Sequence, residues 1–168
     1  EAQREEMEHD PTVILLGEDV RLNMFGTAPN FVKDFGESRV IDTPISESGF
    51  MGVGVGSAMA GLRPIVEISI ASFLYVAMDQ IVSMASKATY MYGGQAKVPM
   101  MIRTNMMFDQ NNASQHSDRP YPLFMNTPGL KIIAPSTAYD MKGLLKTAIR
   151  DDDPVMSFED VGCWMTKS

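Results

Sequence analysis

The stretch Val40-Ile41-Asp42-Thr43-Pro44-Ile45-Ser46-Glu47-Ser48-Gly49-Phe50 decides how the rest of the chain is read. A short apolar run ends in a proline turn, and a lone carboxylate follows. Behind it comes Met51-Gly52-Val53-Gly54-Val55-Gly56-Ser57-Ala58-Met59-Ala60-Gly61, built almost wholly of small and apolar residues. A strand here gives way to a helix, with Glu47 at the junction. A carboxylate near a helix N-terminus is favoured by the dipole and by free backbone donors. Position alone leaves two readings of Glu47: a first-turn residue that stabilises the helix, or a functional group.

The glycines have several readings. Gly52-Val53-Gly54 begins like a dinucleotide-binding fingerprint. Ser57 stands where the next glycine is required, however, and the run lies inside the helix rather than in the turn before it. A dinucleotide oxidoreductase is therefore the weakest reading. Gly52 and Gly56, four apart, leave two spots without side chains on one face. Glycine inside a helix costs about 1 kcal/mol against alanine, so several together call for a compensating contact. A subunit interface is one such contact and tight packing on a sheet is another.

Outward from this centre the chain alternates strands and helices. Residues 1–9 are charged and helix-prone, and Asp10-Pro11 ends them. Thr12 to Leu16 is a continuous apolar run of strand length, the kind buried on both faces. A short helix is expected from Pro29 to Phe35, a second strand over Arg39–Thr43 and the glycine-rich helix over Ser48–Leu62. Ile65–Ile70 reads as the third strand, Val76–Tyr92 as a long helix closed by Gly93-Gly94, and Val98–Ile102 as the fourth strand. Arg103–Thr127 is polar and irregular, and a loop of that length inside a domain is usually functional. Leu130–Ala134 is the fifth strand, a helix capped by Ser136 or Thr137 follows, and Pro154–Phe158 is the last strand. This order predicts an α/β fold: a mostly parallel sheet with helices on both faces, joined by right-handed crossovers. Ligands in such folds sit beyond the C-terminal ends of the strands. Glu18, Glu47, Phe73 and the 103–127 loop all follow strands, so all fall on that edge.

Bulk properties narrow the function. At 168 residues the chain is expected to form one domain, and 45% apolar with 21% charged residues is ordinary for a globular protein. A net charge of −7 without a basic cluster argues against nucleic acid or an anionic membrane as partner. A single cysteine, Cys163, excludes an internal disulfide framework. Both ends look cut, which predicts a domain excised from a longer protein.

His116, in Ser114-Gln115-His116-Ser117-Asp118, is one of two histidines and lies in the long loop, where catalytic groups concentrate. A Ser-His-Asp relay does not suit adjacent residues, and no nearby His or Cys completes a metal site. The alternative is a surface loop histidine. Phe73 follows the third strand and either stacks on a flat ligand or fills core.

Eight segments together carry a resemblance. They are Leu15–Val20 (LLGEDV), Ile41–Glu47 (IDTPISE), Ala58–Pro64 (AMAGLRP), Met78–Ile81 (MDQI), Tyr90–Gln95 (YMYGGQ), Gln115–Ser117 (QHS), Thr127–Lys131 (TPGLK) and Ala148–Asp152 (AIRDD). In this order they resemble the beta subunit of the thiamine-diphosphate-dependent decarboxylating component of 2-oxoacid dehydrogenase complexes. Pyruvate, branched-chain 2-oxoacid and acetoin dehydrogenases share this subunit. The likeness covers nearly the whole chain and implies that residues 1–168 are the pyrimidine-binding, transketolase-like domain. The C-terminal transketolase domain of the family is absent from this chain.

The resemblance implies thiamine diphosphate as cofactor. Glu47 would hydrogen-bond N1′ of its aminopyrimidine and so promote loss of the C2 proton of the thiazolium. Phe73 would pack on the aminopyrimidine, Glu18 would be the acidic residue linked to the paired active sites, and His116 would assist acyl transfer to lipoamide. It also implies an alpha subunit that holds the diphosphate and Mg2+, an alpha2-beta2 heterotetramer with a second beta subunit, and a lipoyl acyltransferase partner. No metal ligand is expected in this chain. The compartment implied is cytoplasmic, or the mitochondrial matrix in a eukaryote, and an isolated domain would be inactive.

The chain departs from the family in places. Arg103-Thr104-Asn105-Met106-Met107 replaces Arg-Gly-Pro-Asn-Gly, and Phe108–Asn112 replaces a Gly/Ala-rich loop. Arg119–Pro122 replaces an aromatic pair, and Arg21–Phe25 replaces a Tyr-Gly-Gly stretch. These changes surround the substrate and lipoyl approach, and leave open which 2-oxoacid, or acetoin, is used. They also define a competing reading: a non-catalytic, partner-binding module on the same fold.

Overall fold

Strand β1 (Val13–Gly17) is buried along its whole length, as a continuous apolar run in a doubly covered sheet should be. The computed structural model describes residues 1–107, 112–164 and 166. Residues 108–111 of the altered loop lie outside these, as do 165, 167 and 168. The described residues form a six-stranded sheet in the order β2-β1-β3-β4-β6-β5, parallel throughout. The other strands are β2 (Val40–Asp42), β3 (Arg63–Ile68), β4 (Met101–Met106), β5 (Lys131–Ile133) and β6 (Val155–Asp160). The predicted α/β class and the sheet with helices on both faces are both present.

Alternate side chains feed two cores. Ile14, Leu16, Val66, Ile68, Ile102, Met156 and Phe158 point to the face covered by α3 (Glu47–Met59), the helical segment that follows β3, and α5 (Tyr121–Phe124). Val13, Leu15, Ile65, Met101 and Val155 point to the face covered by α1 (Ala2–His9), α2 (Phe31–Phe35) and α6 (Ala138–Arg150). α1 packs its charged surface on α6, where Glu6 accepts two bonds of 2.7 Å from Arg150. Thr137 caps α6 by accepting the Asp140 N–H at 3.1 Å.

Three expectations are corrected. The fourth strand runs over Met101–Met106 rather than 98–102. Arg103, Thr104 and Asn105 look like loop residues, but all are buried, and Arg103 is neutralised by carboxylates on the neighbouring strands. The long loop is correspondingly shorter, and contains a 3₁₀ turn (Ser114–His116) and α5. The third strand, β3, runs over Arg63–Ile68 rather than 65–70, so Arg63-Pro64 opens it. Pro64 is tolerated because it pairs with Ile14 of β1, while pairing to β4 starts only at Ile65. The helix expected over 76–92 is broken into a π-helical turn (Gln80–Ala85) and α4 (Ala88–Met91), and a 3₁₀ turn (Ala71–Tyr75) precedes them. Ser86 marks the break: its hydroxyl bonds back to the Val82 carbonyl at 2.7 Å, and its N–H reaches Ile81 O. Gly129 presses close to the Ser86 carbonyl at the same point.

α3 settles the glycine question residue by residue. A methyl on Gly54 would lie 2.6 Å from Cγ2 of Val66 and 3.2 Å from Cε of Met100, so Gly54 lets α3 lie close against β3. A methyl on Gly52 would lie 3.4 Å from Oε1 of Gln80, while one on Gly56 would meet nothing within 4 Å. Around that open side Ile45, Val53, Met59 and Val76 remain exposed. Gly54→Ala is expected to lower stability by about 1–3 kcal/mol through overpacking, whereas Gly56→Ala is neutral or gains up to ~1 kcal/mol. Urea unfolding of the two variants checks the contrast, and equal effects would contradict this account of α3.

Candidate functional site

The direction of chain travel reverses between β1 and β3. β1 is followed by β2 on one side, and the chain then crosses to β3 on the other. A crevice beyond the C-terminal strand ends at such a switch point is where ligands bind in open α/β sheets. Glu18 directly follows β1, Glu47 opens α3 after β2, and Phe73 sits in the turn after β3. The structure therefore brings the predicted residues to one edge.

Glu47 is the first residue of α3 and only 7% exposed. That position is the end of the helix with unbonded N–H groups and the positive pole of its dipole, which favours a carboxylate. Glu18 lies near enough to feel it: burial first, then the charges of Glu47 and Asp19, push the Glu18 carboxyl above its usual range. One Glu18 oxygen, Oε1, is buried with no hydrogen-bond partner among the described residues.

Phe73 and His116 form the second pair, edge to face with ring centres 5.3 Å apart. Phe73 is half-buried, so its ring is neither wholly core nor wholly free. Ser48, beside Glu47, donates a short hydrogen bond to the Val76 carbonyl, tying the start of α3 to the turn that carries Phe73. The loop after β1 is fastened over the same edge. Arg21 gives its N–H to Asp42 at 2.8 Å and its Nε to the Val40 carbonyl at 2.8 Å.

Of the nine buried polar side-chain atoms without a partner among the described residues, four belong to segments that follow strands: Glu18 Oε1, Thr43 Oγ1, Ser72 Oγ and His116 Nδ1. Buried polar atoms are nearly always bonded, so unpartnered ones beyond the strand ends suit a polar ligand at that edge. Among the described residues no group of three His, Cys, Asp or Glu could hold a metal ion. No described helix is long and apolar enough to cross a membrane.

A buried charge cluster escaped the reading of the sequence. Arg103 of β4 bonds Glu159 of β6 twice, at 2.7 and 2.5 Å, and lies 3.3 Å from Glu67 of β3. Trp164 Nε1 donates to Glu159 at 2.9 Å, and Thr27 donates to Glu67 at 3.2 Å. The available signal was a charge inside each of three apolar strand runs: Ile65-Val66-Glu67-Ile68, Met101-Ile102-Arg103 and Ser157-Phe158-Glu159. Burial opposes the charge on Arg103, but Glu159 by its charge and hydrogen bonds, and Glu67 by its charge, outweigh it and raise its pKa. Two carboxylates share one guanidinium. Burial, reinforced by the charge of Glu159, pushes Glu67 upward despite Arg103 and Thr27.

Since Glu67 binds its proton more tightly folded than unfolded, its stabilising share is complete below the ordinary value of 4.5 and is lost as pH rises toward the folded value. Glu67→Gln is expected to gain stability relative to the parent as pH rises from 4.5 toward neutrality. Arg103→Met leaves two buried carboxylates uncompensated and costs about 3–5 kcal/mol. Urea unfolding as a function of pH reads both, and a Glu67→Gln curve parallel to the parent's would contradict the shift.

With the geometry in view, known proteins supply the comparison. The family described as transketolase, pyrimidine binding domain, matches residues 1–161. The chain is 46% identical over 160 residues to the 2-oxoisovalerate dehydrogenase subunit beta of Bacillus subtilis, covering 94% of this chain and 49% of that protein. It is 42% identical over 174 residues to the acetoin:2,6-dichlorophenolindophenol oxidoreductase subunit beta of the same organism, covering 95% of this chain and 51% of that one. It is 45% identical over 162 residues to the pyruvate dehydrogenase E1 component subunit beta of Rickettsia felis, covering 95% and 50%. Thus the chain spans about half the length of the curated relatives it matches. A solved structure titled "Split gene transketolase, inactive beta4 tetramer" superposes with a TM-score of 0.76 at 20% identity, covering 95% of this chain and 48% of that one, and shares the fold.

Proposed function

The chain belongs to the transketolase pyrimidine-binding domain family, and from that premise we propose that it is the beta-subunit half of a thiamine-diphosphate site in a 2-oxoacid or acetoin dehydrogenase. The observation that carries the proposal is Glu47, buried at the N-terminus of α3 on the switch-point edge, with Glu18 beside it. In this reading residues 1–168 form the pyrimidine-binding domain. An alpha subunit completes the site and holds the diphosphate and Mg2+. A second beta subunit completes an alpha2-beta2 heterotetramer, and a lipoyl acyltransferase takes the acyl group in the cytoplasm, or in the matrix of a mitochondrion. The exposed flank of α3 around Gly56 supports a subunit contact there.

When bound, thiamine diphosphate supplies an electron sink for the carbon from which carbon dioxide departs. Glu47 holds and passes a proton at N1′ of the aminopyrimidine. An amide in its place could bond that nitrogen but could not relay the proton. Burial strengthens the interaction by excluding water. Burial, then the charges of Glu47 and Asp19, raise the Glu18 carboxyl above its usual range at this edge. Phe73 offers a flat face against the ring. In this reading His116, whose ring meets Phe73 edge to face, gives a proton to the sulfur released when the disulfide of lipoamide accepts the acyl group.

In the full alpha–beta assembly, Glu47→Gln is expected to lower 2-oxoacid-dependent turnover by about 100-fold or more, since general acid–base groups contribute that much. The thermal midpoint of the assembly should be nearly unchanged. Parent-like turnover in this variant would overturn the role of Glu47, and would favour the partner-binding module that the altered 103–122 loop also suits.

A further inference from the structure

We propose that Ser117 is a positioning residue for His116, acting through the backbone at Ala113. The inference rests on the reading of His116 as a proton donor given above. A histidine that transfers protons is commonly oriented by a hydrogen bond on its other ring nitrogen. Among the described residues, Nδ1 of His116 is buried and has no such partner. The ring's direction then comes from its contact with Phe73 at 5.3 Å and from the turn that carries it.

That turn is strained. Ala113 has φ 59° and ψ 175°, a conformation natural to glycine. An L side chain held there costs about 1–3 kcal/mol, so the surroundings must over-determine it. The Ser117 hydroxyl does this from both sides of the strained residue. It donates to the Ala113 carbonyl at 2.7 Å and accepts the Asn112 N–H at 3.3 Å. The backbone bond from His116 N–H to the same carbonyl is long, 3.4 Å, and holds less well. Without the Ser117 hydroxyl, Ala113 is free to relax toward ordinary backbone angles, and the His116 ring swings with it.

The test uses the full alpha–beta assembly with Ser117→Ala, Ser117→Thr and His116→Gln. Three quantities are read: acylation of a lipoyl domain, decarboxylation coupled to dichlorophenolindophenol (which needs no lipoamide), and the rate at which diethylpyrocarbonate modifies His116 in the cofactor-free assembly, mapped by mass spectrometry. Ser117→Ala is expected to slow acylation by about tenfold, the order of loss when an oriented reacting group is loosened. Dye-coupled decarboxylation should stay within about twofold, because the pyrimidine side is untouched. The His116 modification rate should change several-fold, and Ser117→Thr should restore all three. Parent-like acylation in Ser117→Ala beside an impaired His116→Gln overturns the positioning role and leaves His116 as the donor. An unaltered modification rate in Ser117→Ala also overturns it. Unimpaired acylation in His116→Gln overturns both the donor reading and the positioning that depends on it.

Discussion

A carboxylate that is only 7% exposed needs compensation for its lost hydration, and Glu47 finds it at the N-terminus of α3. Much of the fold serves to keep that terminus where it is. Gly54 allows α3 to sit against Val66 of β3 without a Cβ between them, which fixes the height of the helix over the sheet. Ser48 ties the first turn to the Val76 carbonyl, and Arg21 fastens the preceding loop to β2. A proton-handling group is useful only if it cannot drift, and these contacts restrain it in different directions.

The opposite face of the same edge is stiffened by charge. Glu67, Arg103 and Glu159 occupy three adjacent strands and link β3, β4 and β6 side to side. Such a cluster is weak evidence for net stability, because desolvation offsets most of the attraction. Its geometric effect is clearer: a bidentate pair accepts only one relative placement of β4 and β6. β4 is thereby held extended as far as Met106, close to where the His116 loop leaves the sheet. The altered residues after Arg103 thus act on the position of that loop as well as on its chemistry.

The class of fold was legible because a doubly covered parallel sheet demands largely apolar strands, and Val13–Leu16, together with Ile65–Ile68 apart from Glu67, supplies them. The crevice was legible for a related reason, since every site residue follows a strand. Element ends were not. Arg103–Asn105 look like loop because a single sequence does not reveal that two distant glutamates will neutralise a buried arginine. The long helix was overdrawn because apolar spacing is nearly the same for α and π turns, and the back-bonded hydroxyl of Ser86 gives little warning. Of the site residues, Glu18 falls beside Glu47 and Phe73 beside His116, but those pairings come from sheet order, which spacing along the chain does not encode. The importance of Ser117 was hidden in the φ of Ala113, a local strain that alanine itself does not announce.

The central claim is that this chain supplies one half of a shared cofactor site through Glu47. Calorimetric titration of thiamine diphosphate tests it most directly, run on this chain alone, on the reconstituted alpha–beta pair, and on the pair carrying Glu47→Ala. The account predicts little or no heat with the chain alone, clear saturable binding with the pair, and weakened binding in the variant. Tight binding by the chain alone, or no heat with the intact pair, would contradict it.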